Sequence, residues 1–242
     1  MTRALAFVFA VTVLLSCKHD PDECDHYFIT ETKNAQGESA KFFYNGNGKL
    51  ETISNQYGWT DFFYDESNQL KEVVVNYNGD PNTFKTRYHF NSLGQLLSTT
   101  GDGLDSVVLS YNQDGRVSRT DTYDSDGDIR SFKVYTYIDG RKVKIDTYNT
   151  VFVEAGTLIR TIAYTFDDKK LPIANEAYYA RYIYDDDVIL GGNIVAVTEY
   201  VQYGNSNGTV TTTTRYEYNS AGYPVSNGSA EFTYSCDAPM KP

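Results

Sequence analysis

Apolar residues in this chain come in short alternating runs, each ended by a polar kink of nearly constant form. Val210, Thr212, Thr214, Tyr216 and Tyr218 fall on one side of such a run, with Thr211, Thr213, Arg215 and Glu217 on the other. A period of two marks a strand with one buried face. Residues 131–138 set Phe132, Val134 and Ile138 against Tyr135 and Tyr137. Both sides are bulky there, and the tyrosine side is expected to be partly wet at its hydroxyls. Further strands are expected at residues 27–32, 142–153, 158–166, 177–184, 194–203 and 230–235. Beyond the first residues no stretch carries a sustained 3.6-residue stripe, so helices are not expected.

The kinks share a frame: an aromatic, Asn or Asp, two polar residues, Gly or Asn, one polar residue, then Leu or Val. The copies are Tyr44-Asn45-Gly46-Asn47-Gly48-Lys49-Leu50, Tyr64-Asp65-Glu66-Ser67-Asn68-Gln69-Leu70, Phe90-Asn91-Ser92-Leu93-Gly94-Gln95-Leu96 and Tyr111-Asn112-Gln113-Asp114-Gly115-Arg116-Val117, with later ones starting at Tyr123 and Tyr218. Asn or Asp can accept hydrogen bonds from the backbone just downstream, and Gly three positions on can take positive φ. Together they fit a type I turn closed by a left-handed residue, a common hairpin loop with a bulge. Asn68 fits because Asn tolerates that conformation best after Gly. Asp139-Gly140 reads as a tighter turn. Asp167-Asp168-Lys169-Lys170-Leu171, with Lys at the Gly position, and Tyr184-Asp185-Asp186-Asp187-Val188, one residue short, are expected to turn irregularly. The predicted fold is all-β: an antiparallel up-and-down meander of about fourteen strands, curled or closed into a barrel.

Composition adds an address. The chain has 242 residues, 21 Lys+Arg against 32 Asp+Glu, and a net charge of −11, which excludes nucleic acid as a natural partner. With 22 Tyr and 13 Phe but one Trp, its bulky residues favour sheets. Residues 1–16 read as a signal peptide: Arg3, then an apolar run too short to span a bilayer permanently. The run ends in Leu14-Leu15-Ser16-Cys17, which resembles a bacterial lipobox, with Cys17 the acylated residue of the mature chain; the alternative is an ordinary signal peptide. Residues 17–26 form an acidic tether, 27–236 a single all-β domain and 237–242 a C-terminal tail. In an oxidising compartment Cys24 and Cys236 are expected to pair, the alternative being two free thiols. A bridge would bring the first strand beside the last, as in a closed or tightly curled sheet.

The Tyr-Asp/Asn-x-x-Gly-x-Leu frame resembles the YD repeats of RHS-type surface and toxin-shell proteins. The lipobox, acidic leader and tyrosine-rich hairpins together resemble an uncharacterised family of Bacteroidota surface lipoproteins whose domain is described as a porin-like β-meander. That resemblance implies an outer-membrane protein held by lipid on Cys17 and facing the exterior, with no activity to carry over.

Catalytic candidates are sparse. Three histidines are present, His19, His26 and His89, and none has metal-ligand spacing. Asp124-Ser125-Asp126-Gly127-Asp128 lacks the pattern of a calcium loop and fits the turn frame, and Asp185-Asp186-Asp187 reads as a solvated turn. No catalytic, metal or cofactor set is assigned. Trp59 is expected in the core; if exposed, it would stack on a sugar face with Tyr57 beside it, and the two form the candidate ligand pair. The function expected is a non-catalytic binding or scaffold module with a glycan or protein partner. The rivals are a glycan-binding accessory lipoprotein of a sugar-uptake system and a carboxylate-dependent hydrolase.

Overall fold

The computed structural model describes residues 24, 26–102, 105–150, 156–171, 192–203 and 206–241. The signal peptide, Cys17, His19, nearly all of the tether, the strand expected at 177–184 and the turn at Asp185-Asp186-Asp187 lie outside the described residues.

Among the described residues every regular element is a strand: β1 (Phe28–Asn34), β2 (Ser39–Tyr44), β3 (Leu50–Asn55), β4 (Gly58–Tyr64), β5 (Leu70–Tyr77), β6 (Thr83–Phe90), β7 (Leu96–Gly101), β8 (Ser106–Tyr111) and β9 (Val117–Tyr123), then β10 (Ile129–Asp139), β11 (Lys142–Asn149), β12 (Thr157–Phe166), β13 (Ile194–Tyr203), β14 (Ser206–Thr213), β15 (Glu217–Tyr218), β16 (Pro224–Ser226) and β17 (Ala230–Ser235). Antiparallel ladders join each strand to the next from β1 to β14 and from β15 to β17. β17 then pairs with β1, from Phe28↔Ser235 to Asn34↔Ala230. Next to that ladder a disulfide joins Cys24 to Cys236, their Cα atoms 5.3 Å apart. One seam remains, because no ladder joins β14 to β15 among the described residues. The two are halves of one extended run that gives its first half to β13 and its second to β16, with Thr214–Tyr216 carrying the chain across. Counted as one, they bring the seventeen strands of the described residues to sixteen.

The frame folds as its chemistry dictates. In the copy at Tyr111, Asn112 Oδ1 accepts the N–H groups of Asp114 and Arg116, both at 3.0 Å, and Gly115 N–H donates to Asn112 O. The same bonds recur at Asn45, Asp65, Asn91 and Asp124. Gly115 has φ 74° and Asn68 φ 62°, the left-handed region a side chain enters at a cost. Asn34-Ala35-Gln36-Gly37 closes β1 to β2 in the same way, although no aromatic precedes it. Each turn also leaves a bulge beside the frame's aromatic: Tyr111 faces Val117, but Ser110 faces Arg119. The extra residue moves the buried set from every second position to a three-residue step, as in Leu70 and Val73, Leu96 and Thr99, and Val117 and Thr120.

Among the described residues the sheet has no second layer, so it can hide an apolar face only against itself, and it rolls. Its inner face forms one cluster running through Phe42, Tyr44, Leu50, Phe62, Val73, Tyr88, Leu109, Ile145, Ile162 and Phe166. Inner neighbours meet across strands, as in Phe62↔Val73 and Ile145↔Ile162. Tyrosines, three of them (Tyr44, Tyr64 and Tyr111) from the frame, do a second job at one end of the sheet. Tyr64 donates to the carbonyl of Leu50 at 2.7 Å, Tyr111 to Leu96 at 2.6 Å, and Tyr137 to Val117 at 2.9 Å. Tyr44 and Tyr234 do likewise to Ile29 and Pro224. Each hydroxyl ties the end of one strand to the start of the strand before it. At the seam Tyr218 donates instead to Asp167, whose carboxylate also accepts from Asn193, a side chain only 3% exposed. Burial first, and Asp167 second, push the Tyr218 phenol above its ordinary range.

Two expectations are corrected. Tyr135 is 6% exposed and Ile138 is 56% exposed: the tyrosine side of β10 is the inner one, because Tyr137 must face inward to reach Val117. Val210 is 60% exposed, and the run it belongs to breaks after Thr213, since its two halves serve different partners. The C-terminal tail is ordered against the outer face of β2 to β4. Tyr44 N–H donates to Pro239 O at 2.8 Å, and Lys241 lies 3.3 Å from Asp61. Thr52, buried there, donates to Asp61.

Tyr111→Phe should cost about 1 kcal/mol in urea unfolding. Phe90 stands where this series would bring a hydroxyl to the carbonyl of Leu70, so Phe90→Tyr should leave stability unchanged or raise it; a loss as large as that of Tyr111→Phe would refute the tyrosine series. Reducing Cys24–Cys236, a bridge spanning 212 positions, should lower stability by about 2–4 kcal/mol, with mass spectrometry of unreduced protein confirming the starting bond.

Candidate functional site

At the end of the sheet opposite the tyrosine row, the β1–β2 and β3–β4 turns converge. Asn55 Oδ1 accepts the N–H groups of Tyr57 at 2.8 Å and Gly58 at 3.1 Å. From the next turn Asn78 donates its backbone N–H to Tyr57 O and its side chain to Gln56 O. Gly58 is required for spacing. A Cβ there would lie 1.9 Å from the carbonyl oxygen of Asn76, so only glycine lets β4 pass β5 this closely. With Gly58 and Phe62 buried, Trp59 and Phe63 turn outward.

Trp59 is 41% exposed and Tyr57 58%. The core reading of Trp59 is therefore wrong: alternation from the bulky inner Phe62 places it outside. Beside Tyr57 sits Glu38, from the β1–β2 turn. One carboxylate oxygen accepts from the Tyr57 hydroxyl and from Gln56 Nε2 at 2.8 Å; the other accepts from Asn34 Nδ2 at 2.8 Å. The Tyr57 hydroxyl, and after it Asn34, hold Glu38 below the usual carboxylate range, and Glu38 in turn raises the Tyr57 phenol. Sequence reasoning found the two aromatics and missed Glu38, Gln56 and Asn34. The available signal was the frame at Asn34, hidden because no aromatic opens it and no Leu closes it. Two exposed rings beside a carboxylate and side-chain amides can stack on a flat apolar face and hydrogen-bond the hydroxyls at its rim.

The other sequence candidates stand elsewhere. His89 is exposed on β6. Asp124 holds its turn by accepting from Asp126 and Asp128 N–H, bonds that lower its pKa, Asp128 foremost. Among the described residues no group of three or more His, Cys, Asp or Glu is placed to hold a metal. The sheet's outer face carries charge along its strands, in Arg87 with Glu72 and Asp102, Arg119 with Asp121, and Lys144 with Asp146.

No known family and no curated protein matches this chain in sequence. Among solved structures the fold is similar to a porin-like protein from Bacteroides uniformis ATCC 8492, with a TM-score of 0.54 at 15% identity over 86% of this chain and 95% of that one. A likeness of that kind establishes the all-β meander and nothing about activity. Looser superpositions are found with a porin-like protein from Bacteroides vulgatus ATCC 8482, TM-score 0.35 at 12% identity over 87% of this chain and 94% of the other. Another is with the TcdB2-TccC3 structure, TM-score 0.39 at 16% identity, where 82% of this chain covers 9% of the larger one.

Gly58→Ala should destabilise the protein by about 2 kcal/mol and displace Trp59, read as a shift in fluorescence maximum. Glu38's folded-state pKa is depressed, so its contribution is present above the ordinary carboxylate value and fades as pH falls through the lowered one. Carboxyl NMR of Glu38 should titrate below its unfolded value, and Tyr57→Phe should move that midpoint upward. A midpoint unaffected by Tyr57→Phe would remove the hydrogen bond from the account.

Proposed function

We propose that this protein is a non-catalytic binding module, held on the bacterial outer membrane by lipid on Cys17 and facing the exterior, with Tyr57 and Trp59 as its glycan-contacting pair. The observation that carries the reading is the pair of exposed rings beside Glu38, Gln56 and Asn34. Aromatic faces contact the apolar C–H face of a pyranose, and carboxylate and amide groups take its equatorial hydroxyls. A protein carried on a lipid anchor has no need to cross the bilayer, and the charged outer strands suit water: a spanning barrel exposes an apolar band to lipid. Membrane lipid and a glycan are then its partners, with no cofactor. The hydrolase reading gains no support from Glu38 and Asp124, whose carboxyls are drawn down where a general acid needs its pKa raised.

Isothermal titration against a panel of host and plant oligosaccharides should give a hit that Trp59→Ala weakens at least tenfold, about 1.4 kcal/mol. A panel without hits, or binding indifferent to Trp59→Ala, would overturn the glycan assignment. Cys17→Ala should abolish labelling by a clickable palmitate analogue and release the protein from membranes; retention of both would overturn the anchor.

A further inference from the structure

The seam leaves β14 paired on one side only. Its ladder with β13 runs through eight pairs, from Ala196↔Thr213 to Tyr203↔Ser206, without a register shift. Thr214 N–H donates to Val195 O, which fixes the phase of the ladder. Antiparallel pairs alternate between those that exchange backbone bonds and those that do not. Val210 and Thr212 therefore bond to β13, while Thr209, Thr211 and Thr213 point their N–H and C=O groups away from it. Thr198 and Thr211, their hydroxyls 3.1 Å apart, form one of the non-exchanging pairs. Among the described residues nothing pairs with that outer edge.

Unpaired edges are normally guarded by lysine, proline, a bulge or a covering element. Among the described residues β14 has no such guard. The chain carries no charge from Tyr200 through Thr214, and residues 209–214 are all β-branched. The other seam edge, β15, is two residues long. Side chains 208–213 are exposed on both faces, and around them Leu158, Ile159, Tyr200 and Val210 are exposed apolar residues.

The geometry points to β14 as the contact through which two copies of this chain pair edge to edge. A two-fold axis at Thr211 sets Thr211 against its symmetry mate and Thr209 against Thr213 of the second copy. Every outward N–H and C=O then meets its complement, because each of these pairs is of the bond-exchanging kind. Charge selects the same place. Two copies at net −11 repel one another, and this neutral edge lets their backbones meet without opposing carboxylates. A strand-sized contact is small, so the dimer is weak, with a Kd of about 1–100 µM. The axis reverses strand direction between copies. On one membrane they pair lying along its surface, which the seven residue steps from Cys17 to Cys24 (24 − 17) allow with a reach of up to about 25 Å.

The test is sedimentation velocity on the full mature chain carrying Cys17→Ser, which removes acyl-driven aggregation. A dimer should form as concentration rises. Thr211→Lys, which guards the edge, and Thr211→Pro, which deletes an outward N–H while sparing the β13 ladder, should each raise Kd at least tenfold. Circular dichroism must show the variants folded; should Thr211→Pro unfold the chain, Thr211→Lys decides alone. Trp59→Ala should leave the dimer unchanged. A wild-type chain still monomeric at about 100 µM, a dimer that survives Thr211→Lys, or one lost with Trp59→Ala would each overturn the proposal.

Discussion

The described residues form one sheet with no helix and no second sheet to lie on, so it must bury its apolar face against itself, and the rest of the described structure follows from that constraint. Rolling demands reversals short enough to keep every strand adjacent to the next. It also demands that the inward residues stay inward after each reversal. The Asn/Asp-x-x-Gly turn meets the first demand by satisfying its own backbone. The bulge beside the aromatic meets the second, at the cost of one unpaired residue, and adds local twist. The tyrosine hydroxyls complete the arrangement by reaching carbonyls at strand starts, beyond the last pair of the ladder to the next strand.

This division explains what could be read from the sequence. Turns are local: Asn112 and Gly115 act within five residues of each other, so their meaning is written where they stand. Pairing of β1 with β17 was legible only because Cys24 and Cys236 mark it. The inner face was harder. Leu96 and Thr99 are buried although they differ in parity, so alternation carried through a bulge assigns the wrong side. The wetness expected of the tyrosine side of β10 fails at Tyr135 for a related reason. That face is decided by the carbonyl of Val117, which Tyr137 reaches from an adjacent strand. Glu38 joined the candidate site through three partners on two turns, a convergence that no linear spacing reveals.

The seam is where local rules and global closure disagree. The run from Val210 to Tyr218 alternates well enough to be one strand, yet no single partner spans it. β13 takes the first half, and the short hairpin of β15 and β16 takes the second. The junction is held by side chains in place of a ladder. Asn193 is buried because it bonds both to Asp167 and to the Lys170 carbonyl, and Lys170 covers the ring of Tyr223 at 4.5 Å. Those bonds keep buried polar atoms satisfied where a continuous strand pair would have done so.

Fold and recognition are thus assigned to different surfaces. The inner face and the tyrosine-row end hold the residues whose replacement should unmake the sheet. The outer face and opposite end hold Tyr57, Trp59 and Glu38, which the core does not need. Only Gly58 belongs to both, since its missing side chain lets β4 pass β5 and so decides which way its neighbours point. A surface built this way can change its rings and amides without disturbing the strands beneath. The same separation leaves β14 exposed: the core stops short of residues 208–213 and protects neither face of that strand, and among the described residues the β13 ladder alone fixes it. Among the described residues, a sheet that satisfies its other edges by rolling leaves one edge of β14 without a ladder where the roll is incomplete, and a backbone edge without charge is a surface to which another strand can add.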